Sequence, residues 1–258
     1  MIQASNKEAL NIALNFFKGN VALSLAAIAV LLVIALLKEV PVIGIIFALV
    51  YPILSFAIQI YVAREIPRLQ RPEEMGTVAQ RTKLGELFTR HLDIAAGGFL
   101  GFFLILMLLG MLFAGLMSAS IDVQTAEQAM QTQNVQEMIV AISTGGALGT
   151  LFFFLILMMW LGYLMPGVMG EVLLAPTFMD AFRKSFLLFN PRFWKRTFTK
   201  EYFILILIWS FIVFFAATLF SWIAVSIILL PVALVGVYFL SLYNATIYVF
   251  AQEALSRD

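Results

Sequence analysis

Few residues in this chain can do acid–base or ligand chemistry. His91 is the only histidine, Asp93 lies two positions on, and there is no cysteine. A Ser-His-Asp arrangement needs imidazole and carboxylate in mutual reach, yet residues two apart on a helix point to different faces. One histidine also argues against a membrane haem carrier, which needs two axial ligands, and the lack of cysteine removes disulfides, thiolate metal sites and thiol nucleophiles. No metal and no cofactor is expected. Glu171 is the best candidate for a functional carboxylate. In "GYLMPGVMGEVLLAP", Pro166 and Gly167 can break a helix and leave Glu171 near the headgroups or in a re-entrant turn. The ordinary alternative is an acid at the end of a span. Gln59, Tyr61, Asn244, Thr246 and Tyr248 add polar groups near the ends of apolar runs. They converge on a small polar pocket or bond helix to helix, and Gln59, Asn244 and Tyr248 join Glu171 as candidate ligand-binding residues.

The stretch "DAFRKSFLLFNPRFWKRTFTK", residues 180 to 200, carries six bases, five Phe and one Trp against a single acid, Asp180. Nucleic-acid binding also combines bases with aromatics, but its stacking platform needs an extended groove on a folded domain, so no nucleic-acid partner is expected. A membrane surface fits better. Aromatics settle at the headgroup level, and each base near an anionic leaflet contributes about 1 kcal/mol before screening. Arg183, Lys184, Arg192, Trp194, Lys195, Arg196 and Lys200 are therefore expected on the headgroups of anionic lipids.

The elements that position these residues are membrane helices. Hydrophobic residues make up 62% of the 258, charged ones 12%, and the mean hydropathy is +0.99, far from the globular balance. Uncharged runs lie between Lys18 and Lys38, Glu39 and Arg64, Asp93 and Asp122, and Glu137 and Glu171. Each suits one span of about 20 residues. The run from Glu201 to Glu253 suits two, with a reversal between Ser221 and Pro231. Six spans follow, in one all-α integral membrane domain over residues 1–258. With both termini on the cytoplasmic side, all of the 16 Lys and Arg except Lys38 fall there, as the bias of bases toward cytoplasmic loops demands. The acidic stretch from Ala119 to Glu137 then lies outside. The first run has no small-residue cleavage pattern and is expected as a retained helix.

Each cytoplasmic stretch opens with a hydroxyl residue followed three positions later by an acid or amide: Ser5 with Glu8, Thr77 with Gln80, Thr177 with Asp180. This is the pattern of a capping box. An amphipathic stretch follows each. Leu10, Ala13, Leu14 and Phe17 share one helical face, Leu84, Leu87 and Phe88 another, and Phe178, Phe182, Leu187 and Phe189 a third. The pattern reads as three copies of an interfacial helix plus a transmembrane hairpin, over 1–65, 72–171 and 176–253, or as the loops any six-span protein carries. Two GxxxG motifs, Gly97 to Gly101 and Gly145 to Gly149, predict close helix packing. Pro52 in the second span frees a backbone carbonyl.

With "DAFRKSFLLF" before one span and "IYVAREI" closing another, the chain resembles bacterial inner-membrane proteins of the YciC type and relatives of the membrane domain fused to some glycerophosphodiester phosphodiesterases. The resemblance implies a six-span protein of the bacterial inner membrane and carries over no catalytic residue. The expected function is that of a non-enzymatic scaffold or accessory component of an envelope or lipid-related system, with membrane lipids, a membrane protein or a second copy as partner. A transporter or channel for a lipid or small amphiphile is one alternative. An enzyme acting on lipid headgroups through Glu171 and His91 is the other.

Overall fold

The computed structural model describes residues 2–120, 146–224 and 229–256. The acidic stretch, Gly145 and the centre of the last reversal lie outside the described residues. Among those described, every regular element is a helix: α1 (Asn6–Gly19), α2 (Val21–Leu37), α3 (Gly44–Glu65), α4 (Glu74–Arg81), α5 (Leu84–Thr89), α6 (Leu92–Ser120), α7 (Ala147–Leu173), α8 (Phe178–Ser185), α9 (Pro191–Arg196), α10 (Lys200–Ala224) and α11 (Leu230–Ser256). Single 3-10 turns extend α3 over Ile66–Arg68 and α8 over Phe186–Phe189. The chain is an all-α, multi-pass membrane protein.

Five helices, α3, α6, α7, α10 and α11, are long and apolar enough to cross a membrane alone. The first expected span is the exception. α2 has 17 residues, about 26 Å at 1.5 Å per residue against a hydrocarbon core of about 30 Å. It makes a sixth only together with α1, from which it turns by 94°. The bend has an identifiable cause at Asn20. Its side-chain oxygen accepts the Leu23 amide at 2.9 Å, capping α2, while its Nδ2 donates to Ala79 O of α4 at 3.2 Å.

The chain divides into two compact units, residues 1–101 with 164–258, and residues 102–163. In the first, α11 is central and packs against α10, α3, α1 and α2. Half of its apolar window is buried, against 11% for α7 and α10. α1 packs on α4 backbone to backbone, because a Cβ at Gly19 would stand 2.5 Å from Gly76 Cα. Its amino-terminal end is clamped by Asn6, which donates to Leu205 O at 3.0 Å and accepts from the buried Tyr243 hydroxyl. The second unit is a helical hairpin, joined by an edge-to-face Phe113–Phe154 pair at 4.6 Å and a 2.7 Å hydroxyl contact between Ser120 and Thr150. Leu106, Met111, Phe152 and Met159 point outward from it.

Several local expectations are corrected. Ser5 and Thr177 cap α1 and α8, accepting the Glu8 and Asp180 amides. Thr77 caps nothing, because α4 starts at Glu74, two residues after Pro72 fixes the chain direction. On α1 the protein covers Ala9, Ile12, Ala13 and Phe16 and leaves Leu10 and Leu14 exposed. Alanines permit the close approach to α4 that leucines would block. On α8 and its 3-10 turn, Ala181, Ser185 and Leu188 are buried and Phe178 and Phe189 are exposed. On α5, Leu87 and Phe88 are buried as expected.

Pro166 does not break α7, which runs as one helix from Ala147 to Leu173. The buried Tyr202 hydroxyl supports this turn, accepting the Gly167 amide at 3.2 Å and donating to Leu164 O at 3.5 Å. Glu171 thus sits on the last turn of a continuous helix, not in a re-entrant turn.

Candidate functional site

Within the first unit, the segment that joins α3 to α6 and the segment that joins α7 to α10 are tied to each other and to neighbouring helix ends. Arg64, at the end of α3, donates to Ala175 O beyond α7. A Cβ at Gly97 of α6 would lie 2.3 Å from Phe178 O of α8. Arg196 of α9 donates to Leu255 O at the end of α11 at 2.7 and 3.2 Å. Lys38 lies apart from these segments, in the turn between α2 and α3, with its ammonium 4.7 Å from the Tyr51 ring centroid.

The segment that joins α3 to α6 borders a hollow. The end of α3, α4 and α5 surround an open cleft of about 490 Å³, within the range of small-ligand sites. Its rim carries Arg68, Arg81 and Arg90 with Glu65, Glu74 and Glu86, over a floor that includes Leu69 and Val78. Arg68 pairs with Glu65 at 3.0 Å. Glu74 accepts the Gln70 amide at 2.9 Å. The Arg90 guanidinium lies 5.8 Å from the centroid of the Tyr61 ring, and the Tyr61 hydroxyl is fixed by Thr82 Oγ1 at 2.9 Å. Arg81 and Glu86 are exposed, and among the described residues neither forms an ion pair.

The 183–200 segment is built differently. Lys184 binds Glu171 at 3.0 Å. Arg196 caps the carboxyl end of α11, where a cation also meets the negative pole of the helix dipole. Trp194 donates its indole N–H to Leu188 O at 2.7 Å, and Asn190 caps α9 by accepting the Arg192 amide at 2.9 Å. Arg183, Arg192, Lys195 and Lys200 are exposed, with Phe189 and Phe198 exposed among them.

The four candidate ligand-binding residues do not form one pocket. Glu171 is taken by Lys184. Gln59 donates to Ser241 Oγ at 3.0 Å, joining α3 to α11. Asn244 accepts the Trp209 indole N–H at 2.8 Å, and Tyr248 stands edge-on to Trp209 at 6.0 Å, joining α10 to α11. These are interhelical bonds, the second of the two readings of their sequence positions. The void between α2, α3 and α11, lined by Tyr51, Ser55, Tyr238 and Ser241, measures about 30 Å³. That is the space of a single water and too small for an amphiphile. His91 lies between α5 and α6, and among the described residues no hydrogen bond joins it to Asp93 or Glu171.

The glycines also separate. Gly97 and Gly101 of the first motif face α8: a Cβ at Gly101 would lie 2.5 Å from Ser185 Oγ. Gly149 has no described atom within 4 Å of its Cβ position, so the packing expected of it is not made among the described residues. Two other close approaches lie outside the GxxxG motifs. Gly170 abuts Tyr248 O, 2.1 Å from its Cβ position, and Gly19 meets Gly76. "PGVMG" spaces Gly167 and Gly170 on one helical face, a signal that was available. The cleft has no local signature, because its bases, with Glu65, Glu74 and Glu86 among them, come together only through the packing of the α3 end with α4 and α5.

No protein family, no curated protein and no solved structure matches the chain.

Proposed function

We propose that the protein is a non-enzymatic component of a bacterial inner membrane that engages lipid headgroups through the segments that join its spans, as an accessory to an envelope or lipid-related system. The observation that carries this reading is the exposed set Arg183, Arg192, Lys195 and Lys200, interleaved with Phe189 and Phe198. None of these four bases is in an ion pair among the described residues. Aromatic rings at headgroup depth and cations beside them are the combination that anionic leaflets attract, each base contributing about 1 kcal/mol near the surface. With the bases of these segments facing the cytoplasm, both termini are cytoplasmic. The resemblance to the YciC-type proteins belongs to the same proposal.

The test uses the full chain in nanodiscs of phosphatidylcholine with and without phosphatidylglycerol. Anionic lipid is expected to raise the unfolding temperature and to be retained in native mass spectra, with the gain falling as salt rises. Changing Arg183, Arg192, Lys195 and Lys200 together to Gln should abolish the preference. An unchanged preference in that variant sinks the reading.

A further inference from the structure

We propose that the cleft between the end of α3, α4 and α5 binds a zwitterionic group that joins a phosphate to an amine, as in the headgroup of an ethanolamine phospholipid or in soluble phosphoethanolamine. This rests on the reading that the segments between spans meet lipid headgroups, and it concerns residues other than the exposed bases of the 183–200 segment.

The rim fits such a group by charge. Three arginines and three glutamates line one cavity of about 490 Å³, so a simple anion or a simple cation would leave half of the rim facing like charge. A neutral molecule with separated charges does not. The side chains also differ in what they have left to offer. Arg68 and Glu65 are satisfied by each other, the two oxygens of the carboxylate lying 3.0 and 3.3 Å from Arg68 Nη1. Glu74 is partly engaged by the Gln70 amide. Arg81, Arg90 and Glu86 have no carboxylate or base within ion-pair distance among the described residues.

Placement supplies the second half of the argument. Arg81 ends α4, and Arg90 follows α5, its guanidinium carried over the Tyr61 ring. Guanidinium forks suit the paired oxygens of a phosphate better than an ammonium would. Glu86 sits in the first turn of α5 between them in sequence, and with Glu74 gives carboxylate oxygens to accept from the three N–H donors of an ammonium. Thr77 adds a hydroxyl to the rim, and Leu69 and Val78 give apolar contact for the carbon atoms joining the charged groups.

The experiment uses the delipidated full chain in detergent and short-chain phospholipids with ethanolamine, choline or glycerol headgroups, followed by calorimetry and native mass spectrometry. The ethanolamine lipid is expected to bind more tightly than the other two. Arg81→Gln and Arg90→Gln should each weaken it about tenfold, the scale of one charge-assisted hydrogen bond. Arg81→Lys should restore part of the loss, and all variants should keep the wild-type unfolding temperature because these side chains are exposed. Glu86→Gln should lose the ethanolamine preference and keep the phosphate affinity. Competition by soluble phosphoethanolamine would assign binding to the headgroup alone; its failure to compete would assign the source to the intact lipid. Equal binding of glycerol and ethanolamine lipids, or an unaltered preference in Glu86→Gln, overturns the proposal. The quadruple change in the 183–200 segment should leave ethanolamine binding intact, so the two readings can fail separately.

Discussion

The stretches from Arg64 to Arg90 and from Arg183 to Lys200 each carry six bases, yet they use them in different ways. Between Arg64 and Arg90 the bases alternate with Glu65, Glu73, Glu74 and Glu86, and the helices that carry them enclose a cleft. Between Arg183 and Lys200 there is no acid. There one base holds Glu171, one caps α11, and the other four are exposed with no ion pair among the described residues. Equal cation number therefore says little about what a loop does. What decides is whether acids of the same loop keep the cations local, or whether the nearest partner is another helix end or the membrane.

The most damaging change to this contrast should be at the support of the second segment. Gly97→Leu would drive a side chain into the Phe178 backbone, where even a Cβ stands 2.3 Å from a carbonyl oxygen. Backbone cannot rotate away as a side chain can, so a loss of about 3 kcal/mol or more is expected. Thermal unfolding in detergent measures it, with Gly149→Ala as the control. The latter meets open space and should be neutral or stabilising by about 0.5–1 kcal/mol, through helix propensity alone. A large loss at Gly149 would mean that this glycine too is covered, by a residue outside those described or by a partner.

Next comes the link between the segments. Arg64 leaves the first and donates to Ala175 O, just ahead of the second. Arg64→Ala leaves that carbonyl without its cationic donor, and a destabilisation of about 1.5–3 kcal/mol is expected in the same unfolding assay. Arg64→Gln, which keeps a donor of shorter reach, should recover part of it. If alanine and glutamine behave alike and neither costs stability, the two segments are independent.

How far the sequence disclosed this contrast depends on the range of the forces involved. Helices of 22 to 29 residues are legible because the bilayer imposes their length and composition residue by residue. The caps at Ser5 and Thr177 are legible because they are made within four residues. Thr77 has the same spacing, but Pro72 sets the start of α4 earlier and wins. Gln59, Asn244 and Tyr248 were recognisable as polar groups in apolar surroundings, yet their partners Ser241 and Trp209 lie 182 and 35 positions away, and no local pattern selects them. The cleft was the least legible. Its charges are surface charges, and only the meeting of the α3 end with α4 and α5 makes a cavity of them.

The third expected effect sharpens the division within the basic segment. Arg196→Ala removes two hydrogen bonds to Leu255 O and a cation from the carboxyl end of α11, which should cost about 1–2 kcal/mol. Arg192→Ala, on the same short helix and exposed, should stay within about 0.5 kcal/mol in detergent. Only in anionic nanodiscs should the order narrow, because Arg192 then gains a partner that Arg196 does not need. If Arg192→Ala is as costly in detergent as Arg196→Ala, the assignment of one to the protein and the other to the lipid is wrong.

The smallest effect concerns Glu171, the carboxylate that the sequence marks most strongly. Its partner Lys184 retains 33% side-chain exposure and Glu171 itself 16%, so solvent screens the pair and its contribution to stability should be about 1 kcal/mol or less. Glu171→Gln keeps shape and hydrogen-bonding capacity and removes only the charge. If the pair merely fastens α8 to α7, unfolding shifts slightly and Lys184→Met produces a shift of the same size, with no further loss in the double variant. If Glu171 instead serves a ligand, Glu171→Gln would alter lipid retention in native mass spectra while Lys184→Met would not. The paired geometry favours the first outcome, because a carboxylate already holding an ammonium at 3.0 Å has half its capacity engaged within the chain.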